Sequence, residues 1–332
     1  MSSAVSAPAP TRVRPRRIVA LDVLRGVALC GIALVNVGPV THFGSALEPT
    51  APTLDDAGGW LQLLVHQRFF PIFTLLFGTG FSLLAESAAR RGVRPRVVLA
   101  RRLLVLLPLG VLHQWLHPGE ALLPYALVGL VVLLPSTWLP RYVVAGLAVV
   151  AVPAALALGG GQLLIPALFL LGSALVRCGV VARVETSPRA VGVLLVISAA
   201  VAVPTVPAQT RDLIDSGFSV VSAVAGLALA GVYVSALLLA LHTPARRVLV
   251  AVFSPLGRMA LTNYVSATLL MLAGGALLDL TRSRSWGLLL GMTAGILVLQ
   301  AVWSALWLRR FAQGPLEHLW RWATWGQRPR GG

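Results

Sequence analysis

Residues capable of acid–base chemistry stand at the ends of several long apolar stretches of this sequence. His42, His66, His113 and His117 all occupy such positions, and Glu120 follows His117 through a Pro-Gly turn. An imidazole can remove a proton from a hydroxyl or an amine at neutral pH, or can itself accept an acyl group. A nearby carboxylate can orient the ring, and Glu120 is placed to meet His113 across the short H-P-G-E turn. The pattern indicates general-base or nucleophilic chemistry, the alternative being interfacial polar residues without a chemical role.

A second polar set interrupts the apolar stretch 17–39, which is long enough to cross a bilayer. At about 100° per residue, Asp22, Arg25 and Asn36 fall on one narrow stripe of a helix. A charge inside a membrane is costly, so such residues normally face the interior of a bundle. The simpler alternatives are an i,i+3 ion pair between Asp22 and Arg25 and an ordinary interhelical hydrogen bond from Asn36.

The chain that carries these residues is far too apolar for a soluble fold. Hydrophobic residues make up 57% of the 332 residues, charged residues make up 11%, and the mean hydropathy is +0.83. We therefore predict an all-α, polytopic transmembrane helical bundle. Apolar runs bounded by Pro, Gly or charge give ten predicted spans: 18–39, 69–87, 97–116, 121–139, 142–158, 163–181, 190–206, 218–241, 253–278 and 286–308.

Two flanking segments differ in composition from the predicted transmembrane domain of residues 18–311. Residues 1–17 are rich in Pro, Ser, Ala and Arg and indicate a disordered basic tail. Residues 312–332 contain Trp and Arg, which suit an interfacial segment in the headgroup layer. Within the domain, Gly78 and Gly80 lie in the middle of a span, where small residues let helices pack closely.

The formal charge of +16 comes from arginine, since all 27 basic residues other than histidine are Arg. With ten spans and the N-terminus inside, most of these arginines fall in cytoplasmic segments, as the positive-inside rule requires. We therefore expect both termini in the cytoplasm and the bundle in the bacterial inner membrane. The arginines form short loop clusters that suit anionic headgroups, so the charge does not indicate nucleic-acid binding.

Metal binding is only weakly indicated. His113 and His117 have the i,i+4 spacing that can place two imidazoles on one metal, with Glu120 or His66 as a third ligand. Pro118 would interrupt the helix at that point, however, and the spacing alone is common. We therefore expect no metal site.

Several motifs identify a resemblance to a known family. The pattern L-D-x-L-R-G-x-A-L-x-G-I-x-L-x-N, from Leu21 to Asn36, resembles the first helix of the YeiB-like family of bacterial multipass membrane proteins. The runs F-x-x-L-F-G-x-G-F, G-R-M-A-L-T-N-Y and F-A-Q-G-P-L-E-H-L-W resemble further motifs of that family, in the same order. The D-x-x-R-G followed by Asn also resembles the first helix of heparan-α-glucosaminide acetyltransferase relatives.

The second resemblance implies a membrane acyltransferase that moves an acyl group from cytosolic acyl-CoA to an envelope or small-molecule acceptor. Arginine suits the phosphates of coenzyme A, so the implied cofactor-binding residues are Arg25, Asp22, Arg258, Arg101 and Arg102. The candidate catalytic residues for this function are His113, His42, Glu120 and Asn36. His42 is the nearest match to a histidine that the acetyltransferase relatives have in the loop after the first helix, whereas His113 rests on the YeiB-like pattern. The candidate substrate-binding residues are His66, Arg68, Tyr125 and Asn263.

Two other functions fit the same sequence. A transporter or flippase would use the buried stripe of Asp22, Arg25 and Asn36 to bind a solute or to couple protons. A membrane scaffold would use the C-terminal Trp/Arg segment to dock a partner protein. The sequence does not decide the oligomeric state.

Overall fold

The computed structural model of the chain describes residues 17–49, 51–211, 213 and 219–326. Within these ranges all regular structure is helical, which confirms the predicted fold class. The α-helices in chain order are α1 (Val19–Thr41), α2 (Ala57–Leu64), α3 (Phe69–Arg90), α4 (Pro95–Leu116), α5 (Leu122–Val128), α6 (Arg141–Ala157), α7 (Leu164–Arg177), α8 (Val180–Arg183), α9 (Pro188–Gln209), α10 (Val220–Ala240), α11 (Arg246–Arg258), α12 (Ala260–Leu277), α13 (Trp286–Arg310) and α14 (Pro315–Trp325).

The described helices are those of a membrane protein. Six helical segments are long and apolar enough to cross a bilayer: Val19–Thr41, Ala57–Arg90, Pro188–Gln209, Val220–Ala240, Ala260–Leu277 and Trp286–Arg310. The remaining predicted spans also coincide with helices, which are shorter or carry more arginine. Of the predicted basic tail, only Arg17 lies within the described residues.

Two predicted spans are not single α-helices. The predicted span 121–139 consists of α5, a π-helical turn (Gly129–Leu133) and a 3-10 turn (Pro135–Trp138). The predicted span 253–278 breaks at Met259, between α11 and α12. At this break the Glu317 carboxylate accepts the backbone N–H groups of Leu261 and Thr262, at 2.7 and 3.0 Å. The C-terminal helix thereby caps the start of α12.

Helix α1 packs against several other helices, and its backbone touches that of α11. A Cβ atom added to Gly257 would lie 1.9 Å from the carbonyl oxygen of Asp22, and one added to Gly26 would lie 2.1 Å from that of Phe253. Only glycine fits at this crossing. On its other sides α1 packs against α3, α12 and α13.

The two glycines of α3 differ in environment. A Cβ atom added to Gly78 would lie 2.4 Å from the carbonyl oxygen of Phe169 in α7, which confirms the predicted packing role. The nearest atom to a Cβ at Gly80 is Nη2 of Arg25, at 3.9 Å. Gly80 therefore borders open space next to Arg25 and does not pack against a neighbouring helix.

The C-terminal helix α14 packs against α4 and α12. Its Trp320 indole donates to the carbonyl oxygen of Arg102 at 2.9 Å. Leu319 and Trp322 remain exposed on the other side of the helix. The predicted interfacial position of residues 312–332 stays a prediction, and residues 327–332 lie outside the described part.

The crossing of α1 and α11 gives a direct test. Gly257→Ala should lower the free energy of unfolding by about 1–3 kcal/mol, because the new methyl group overlaps the α1 backbone. Gly295→Ala in α13 is the matched control, since nothing lies within 4 Å of its added Cβ atom. We expect the control to be neutral or slightly stabilising. Thermal unfolding in detergent measures both, and equal effects would contradict the packing argument.

Candidate functional site

The predicted ion pair of α1 forms, and it extends by one residue. Asp22 Oδ1 lies 3.5 Å from Arg25 Nη1, and Asp22 Oδ2 lies 2.6 Å from Arg17 Nε. Arg25 Nη1 also donates to the carbonyl oxygen of Gly257, at 3.4 Å. These contacts fix the buried Asp22 and hold the Arg25 side chain near the glycine crossing.

Arg25 lines a cavity of about 370 Å³, the arginine cavity, together with Arg102 and Arg258. Glu317 is the one carboxylate among its described lining residues. The other walls are largely apolar and come mainly from α3, at Phe73, Leu76, Phe77, Gly80, Phe81, Leu83 and Leu84. The cavity is thus cationic on one side and apolar on the other. This arrangement suits a ligand with both phosphate and apolar parts.

Asp22 itself does not line this cavity, and Arg101 and Asn263, two further predicted binding residues, also lie outside it. Arg101 is exposed and does not line the arginine cavity, because the side chain of its neighbour Arg102 faces inward instead. Asn263 is 1% exposed and belongs to a hydrogen-bond network between α12 and α13. Its Nδ2 donates to Ser304 Oγ at 2.9 Å and to the carbonyl oxygen of Leu256 at 3.3 Å. Asn263 therefore joins helices and lines neither this cavity nor the one described next.

A second cavity of about 300 Å³, the histidine cavity, lies between α1, α3, α5 and the turn after α4. Four predicted site residues line it: Asn36, His66, Glu120 and Tyr125. His117 and Gln67 line it as well. The Asn36 side chain makes no hydrogen bond to any described residue, so its amide is available to a molecule in the cavity.

Glu120 holds the start of α5. Its two carboxylate oxygens accept the backbone N–H groups of Leu122 and Leu123, both at 2.5 Å. These groups have no intrahelical partner, so the carboxylate acts as a helix cap. The predicted contact with His113 also forms, since Glu120 Oε2 lies 3.3 Å from His113 Nδ1.

His113 has both ring nitrogens engaged. Its Nε2 lies 3.0 Å from Thr268 Oγ1 in α12, and its Nδ1 faces Glu120. The side chain is 2% exposed and does not line the histidine cavity. His113 therefore links α4, α5 and α12. The structure does not bring it to the cavity that the sequence analysis expected it to serve.

His42 is also separate from this cavity. It ends α1 in a left-handed conformation, with φ 49°, and its side chain is exposed. It lines neither the histidine cavity nor the arginine cavity. The structure therefore gives no support to its predicted catalytic position.

His117 is not among the predicted catalytic residues. It is 5% exposed and lines the histidine cavity, and its Nδ1 has no hydrogen-bond partner in the part of the chain that the structure describes. Its backbone N–H donates to the carbonyl oxygen of His113 at 2.9 Å, and the two rings lie 6.0 Å apart. The i,i+4 spacing already signalled that the two rings are neighbours.

Burial and, to a smaller extent, His113 lower the pKa of His117, while Glu120 acts in the opposite direction. The lowered pKa favours the neutral imidazole at neutral pH. In that form one ring nitrogen accepts a hydrogen bond, so the ring can act as a proton acceptor towards a molecule in the cavity.

Arg68 is fully buried but does not line the histidine cavity. Its guanidinium donates to the carbonyl oxygen of His66 at 2.6 Å and to Gln209 Oε1 at 2.5 Å. These bonds tie the joint between α2 and α3 to the end of α9. Its predicted role in binding substrate is therefore indirect at most, through the position of His66.

Tyr125 and Tyr264 line both cavities and form the wall between them. The Tyr125 hydroxyl shares a 2.5 Å hydrogen bond with Thr74 Oγ1, and the Tyr264 hydroxyl accepts the backbone N–H of Ala121 at 3.3 Å. Two fixed phenol rings therefore separate a cationic space from a space lined by histidines.

A third cavity, of about 870 Å³, lies among the residues between α1 and α2 and shares Val35, Pro39 and His66 with the histidine cavity. The three cavities follow one another along α1. Arg25 borders the first, Asn36 the second, and Gly38 the third.

The neutral state of His117 predicts a pH dependence of stability. A histidine whose pKa is lowered by folding contributes stability above its ordinary value of about 6.5, and that stability is lost as the pH falls below this value. The unfolding temperature of the wild type should therefore drop between about pH 7.5 and about pH 5.5 more than that of His117→Asn. Parallel curves for the two proteins would contradict a buried neutral imidazole.

Comparison with known proteins places the chain in a family. Residues 175–327 match the family model described as "Protein of unknown function (DUF418)". The chain is 32% identical to an uncharacterized 39.9 kDa protein in the amylase 3′ region of Bacillus acidopullulyticus, over 94% of this chain and 95% of that protein. It is 26% identical to the uncharacterized protein YxaH of Bacillus subtilis (strain 168), over 93% of this chain and 94% of that protein.

A shorter match is closer in sequence. The uncharacterized protein YeiB of Escherichia coli (strain K12) is 38% identical over 125 residues, which are 35% of this chain and 30% of that protein. Together with the near full-length match to the Bacillus acidopullulyticus protein, it confirms the resemblance to the YeiB-like family that the sequence motifs indicated. The chain belongs to the YeiB-like family, and its own residues 175–327 carry the match to the DUF418 model.

Proposed function

We propose that this protein is an integral membrane acyltransferase that moves an acyl group from cytosolic acyl-CoA to an envelope or small-molecule acceptor. The observation that supports this proposal is the meeting of two chemically different cavities at Tyr125 and Tyr264. One cavity offers arginines and an apolar wall, and the other offers a neutral imidazole and amide groups. Two adjoining spaces of this kind suit a group transfer between two dissimilar substrates.

The proposed topology sets the direction of transfer. We place ten spans in the bacterial inner membrane with both termini in the cytoplasm, because this arrangement puts most arginines inside. Arg25, Arg102 and Arg258 then lie towards the cytosol, where acyl-CoA is available. His117 and Asn36 lie towards the other side of the membrane, close to the larger third cavity and an acceptor arriving from the envelope.

The arginine cavity fits the parts of an acyl-CoA. Guanidinium groups of Arg25, Arg102 and Arg258 provide charged donors for phosphate oxygens. The apolar wall along α3 offers a surface for the thioester arm, which would extend past Gly80 towards the tyrosines. Arg25 is held by Asp22 and by the glycine crossing, so part of the cationic surface is preorganised.

The histidine cavity would hold the acceptor, with His117 as the base. The acceptor hydroxyl or amine gives its proton to His117 as its oxygen or nitrogen bonds to the thioester carbonyl carbon. The carbon–sulfur bond then breaks, and the coenzyme A sulfur takes the proton back from His117, which returns the imidazole to its neutral form as the acyl group stays on the acceptor. Asn36 and Gln67 are placed to hydrogen-bond the acceptor, while Glu120 and His113 position the turn that carries His117.

The same row of cavities along α1 is the observation that favours the alternative function, a transporter or flippase. A solute could pass from the arginine cavity to the third cavity if the wall formed by Tyr125 and Tyr264 opened. A transporter would need neither a proton acceptor at His117 nor an acyl donor. The two functions therefore differ in their dependence on acyl-CoA.

The first test measures saturable binding of radiolabelled acetyl-CoA to the detergent-purified protein. Arg102→Ala should weaken binding at least tenfold, because it removes a charged donor from the arginine cavity. Arg101→Ala is the matched control, since this neighbouring arginine is exposed and outside the cavity. We expect the control to bind as the wild type does.

The Arg102 side chain also stacks on Trp320, so Arg102→Ala could lose binding through a folding defect. A second variant that leaves this contact in place tests binding separately. Gly80→Leu places bulk in the arginine cavity and removes no charge, so it should also weaken binding. If the wild type binds neither acetyl-CoA nor longer acyl-CoAs, the acyltransferase proposal fails and the transporter is favoured.

The second test follows radiolabel from acyl-CoA into envelope or small-molecule products of membranes that contain the protein. His117→Ala should reduce transfer by about 10²-fold or more, while acetyl-CoA binding is retained. His42→Ala, which removes an exposed histidine outside the histidine cavity, should leave transfer unchanged. Full activity of His117→Ala would exclude this residue as the base.

A further inference from the structure

A fourth cavity, the lateral cavity, lies between α3, α4 and α7 and is separate from the row along α1. Its volume is about 680 Å³. Phe81, Ala85, Val97 and Leu99 provide much of its apolar wall. Ser82 Oγ donates to Ser173 Oγ at 2.8 Å, so these two lining hydroxyls are already paired with each other. Most of the wall therefore offers contact to a hydrocarbon and not to a polar ligand.

The edge of the lateral cavity is cationic. Arg94, Arg96 and Arg177 line it, against the single carboxylate of Glu86 among the described lining residues. That carboxylate lies 3.5 Å from Arg90, an arginine outside the lining, which offsets its charge. The cavity edge thus has a net positive charge and suits an anionic group.

The three arginines are held to different degrees. Arg177 donates to the carbonyl oxygens of Ser136 and Leu139, at 3.2 and 2.5 Å. Arg96 donates to Thr137 Oγ1 at 3.2 Å and lies 4.6 Å from the ring centre of Trp138. The Arg94 side chain makes no hydrogen bond or ion pair with a described residue. The Arg94 guanidinium is therefore available to an anion, on the same cavity edge as the fixed Arg96 and Arg177.

The surface around the lateral cavity is apolar. Val93, Val97 and Trp138 are 43%, 41% and 59% exposed, and they stand beside the arginines. A tryptophan next to arginine, with aliphatic side chains alongside, is typical of the boundary between headgroups and acyl chains. A soluble anion would gain no binding energy from this apolar surface or from the apolar cavity wall, whereas a lipid would contact both.

We propose that the lateral cavity binds one anionic phospholipid, with its phosphate at Arg94 and Arg96 and the start of an acyl chain against Phe81 and Ala85. Basic pockets between membrane helices commonly hold such headgroups. The site does not depend on the acyltransferase proposal. Phe81 also lines the arginine cavity, so a lipid here would lie directly behind one of its walls.

The experiment is native mass spectrometry of the purified full chain with phosphatidylglycerol or phosphatidylcholine at equal concentrations. We expect one phosphatidylglycerol to be retained at least tenfold more strongly than phosphatidylcholine. The double variant Arg94→Gln with Arg96→Gln should lower this preference roughly tenfold, since two guanidinium charges are lost. Ala85→Phe, which fills the apolar part and leaves the charges in place, should weaken retention of both lipids.

The matched control is Arg246→Gln with Arg247→Gln, which removes two exposed arginines that do not line the lateral cavity. It should retain phosphatidylglycerol as the wild type does. Equal retention of the two lipids, or an equal loss in the control, would overturn the proposal in favour of general surface attraction. Displacement of the lipid by inorganic phosphate or by coenzyme A would instead assign the cavity to a soluble anion.

Discussion

The close crossing of α1 and α11 is the constraint on which the rest of this structure depends. Gly26 and Gly257 bring the two backbones together, and no larger side chain fits between them. The crossing places the Gly257 carbonyl oxygen within reach of Arg25 and leaves Arg258, the next residue, on the wall of the same cavity. A packing requirement for small residues thus also decides where the cationic groups gather.

Many buried polar groups in this bundle are structural, and their hydrogen bonds are made within the protein. Glu120 caps α5, His113 joins Glu120 to Thr268, and Asn263 joins α12 to α13. An unpaired polar group in such surroundings carries a penalty on the order of 1–3 kcal/mol. The hydrogen bonds of these residues therefore stabilise the fold, and their burial by itself does not indicate a catalytic role.

Several buried polar atoms of the described residues are exceptions, at the histidine cavity and elsewhere in the bundle, and those at the cavity bear on the proposed chemistry. His117 Nδ1 and Gln67 Oε1 are buried without a hydrogen-bond partner in the described residues, and both residues line the histidine cavity. The Asn36 amide faces the same space. A ligand with hydroxyl or amine groups would supply the missing partners, which is why this cavity, and not the His113 contact, is the basis of the proposed chemistry.

Local spacing in the sequence determined much of this arrangement. It predicted the helical membrane bundle, the Asp22–Arg25 ion pair and the contact across the turn between His113 and Glu120. It did not determine which of two neighbours faces a cavity: Arg102 does and Arg101 does not, and His117 does and His113 does not. Spacing fixes which side chains share a helix face, but the rotation of α4 against its neighbours decides which of Arg101 and Arg102 meets a cavity. The two histidines differ for another reason, since α4 ends at Leu116 and His117 therefore belongs to the turn that lines the histidine cavity. The rotation of one helix against another depends on contacts between segments far apart in the chain, such as Gly26 with Phe253 and His113 with Thr268, and only the tertiary structure contains them.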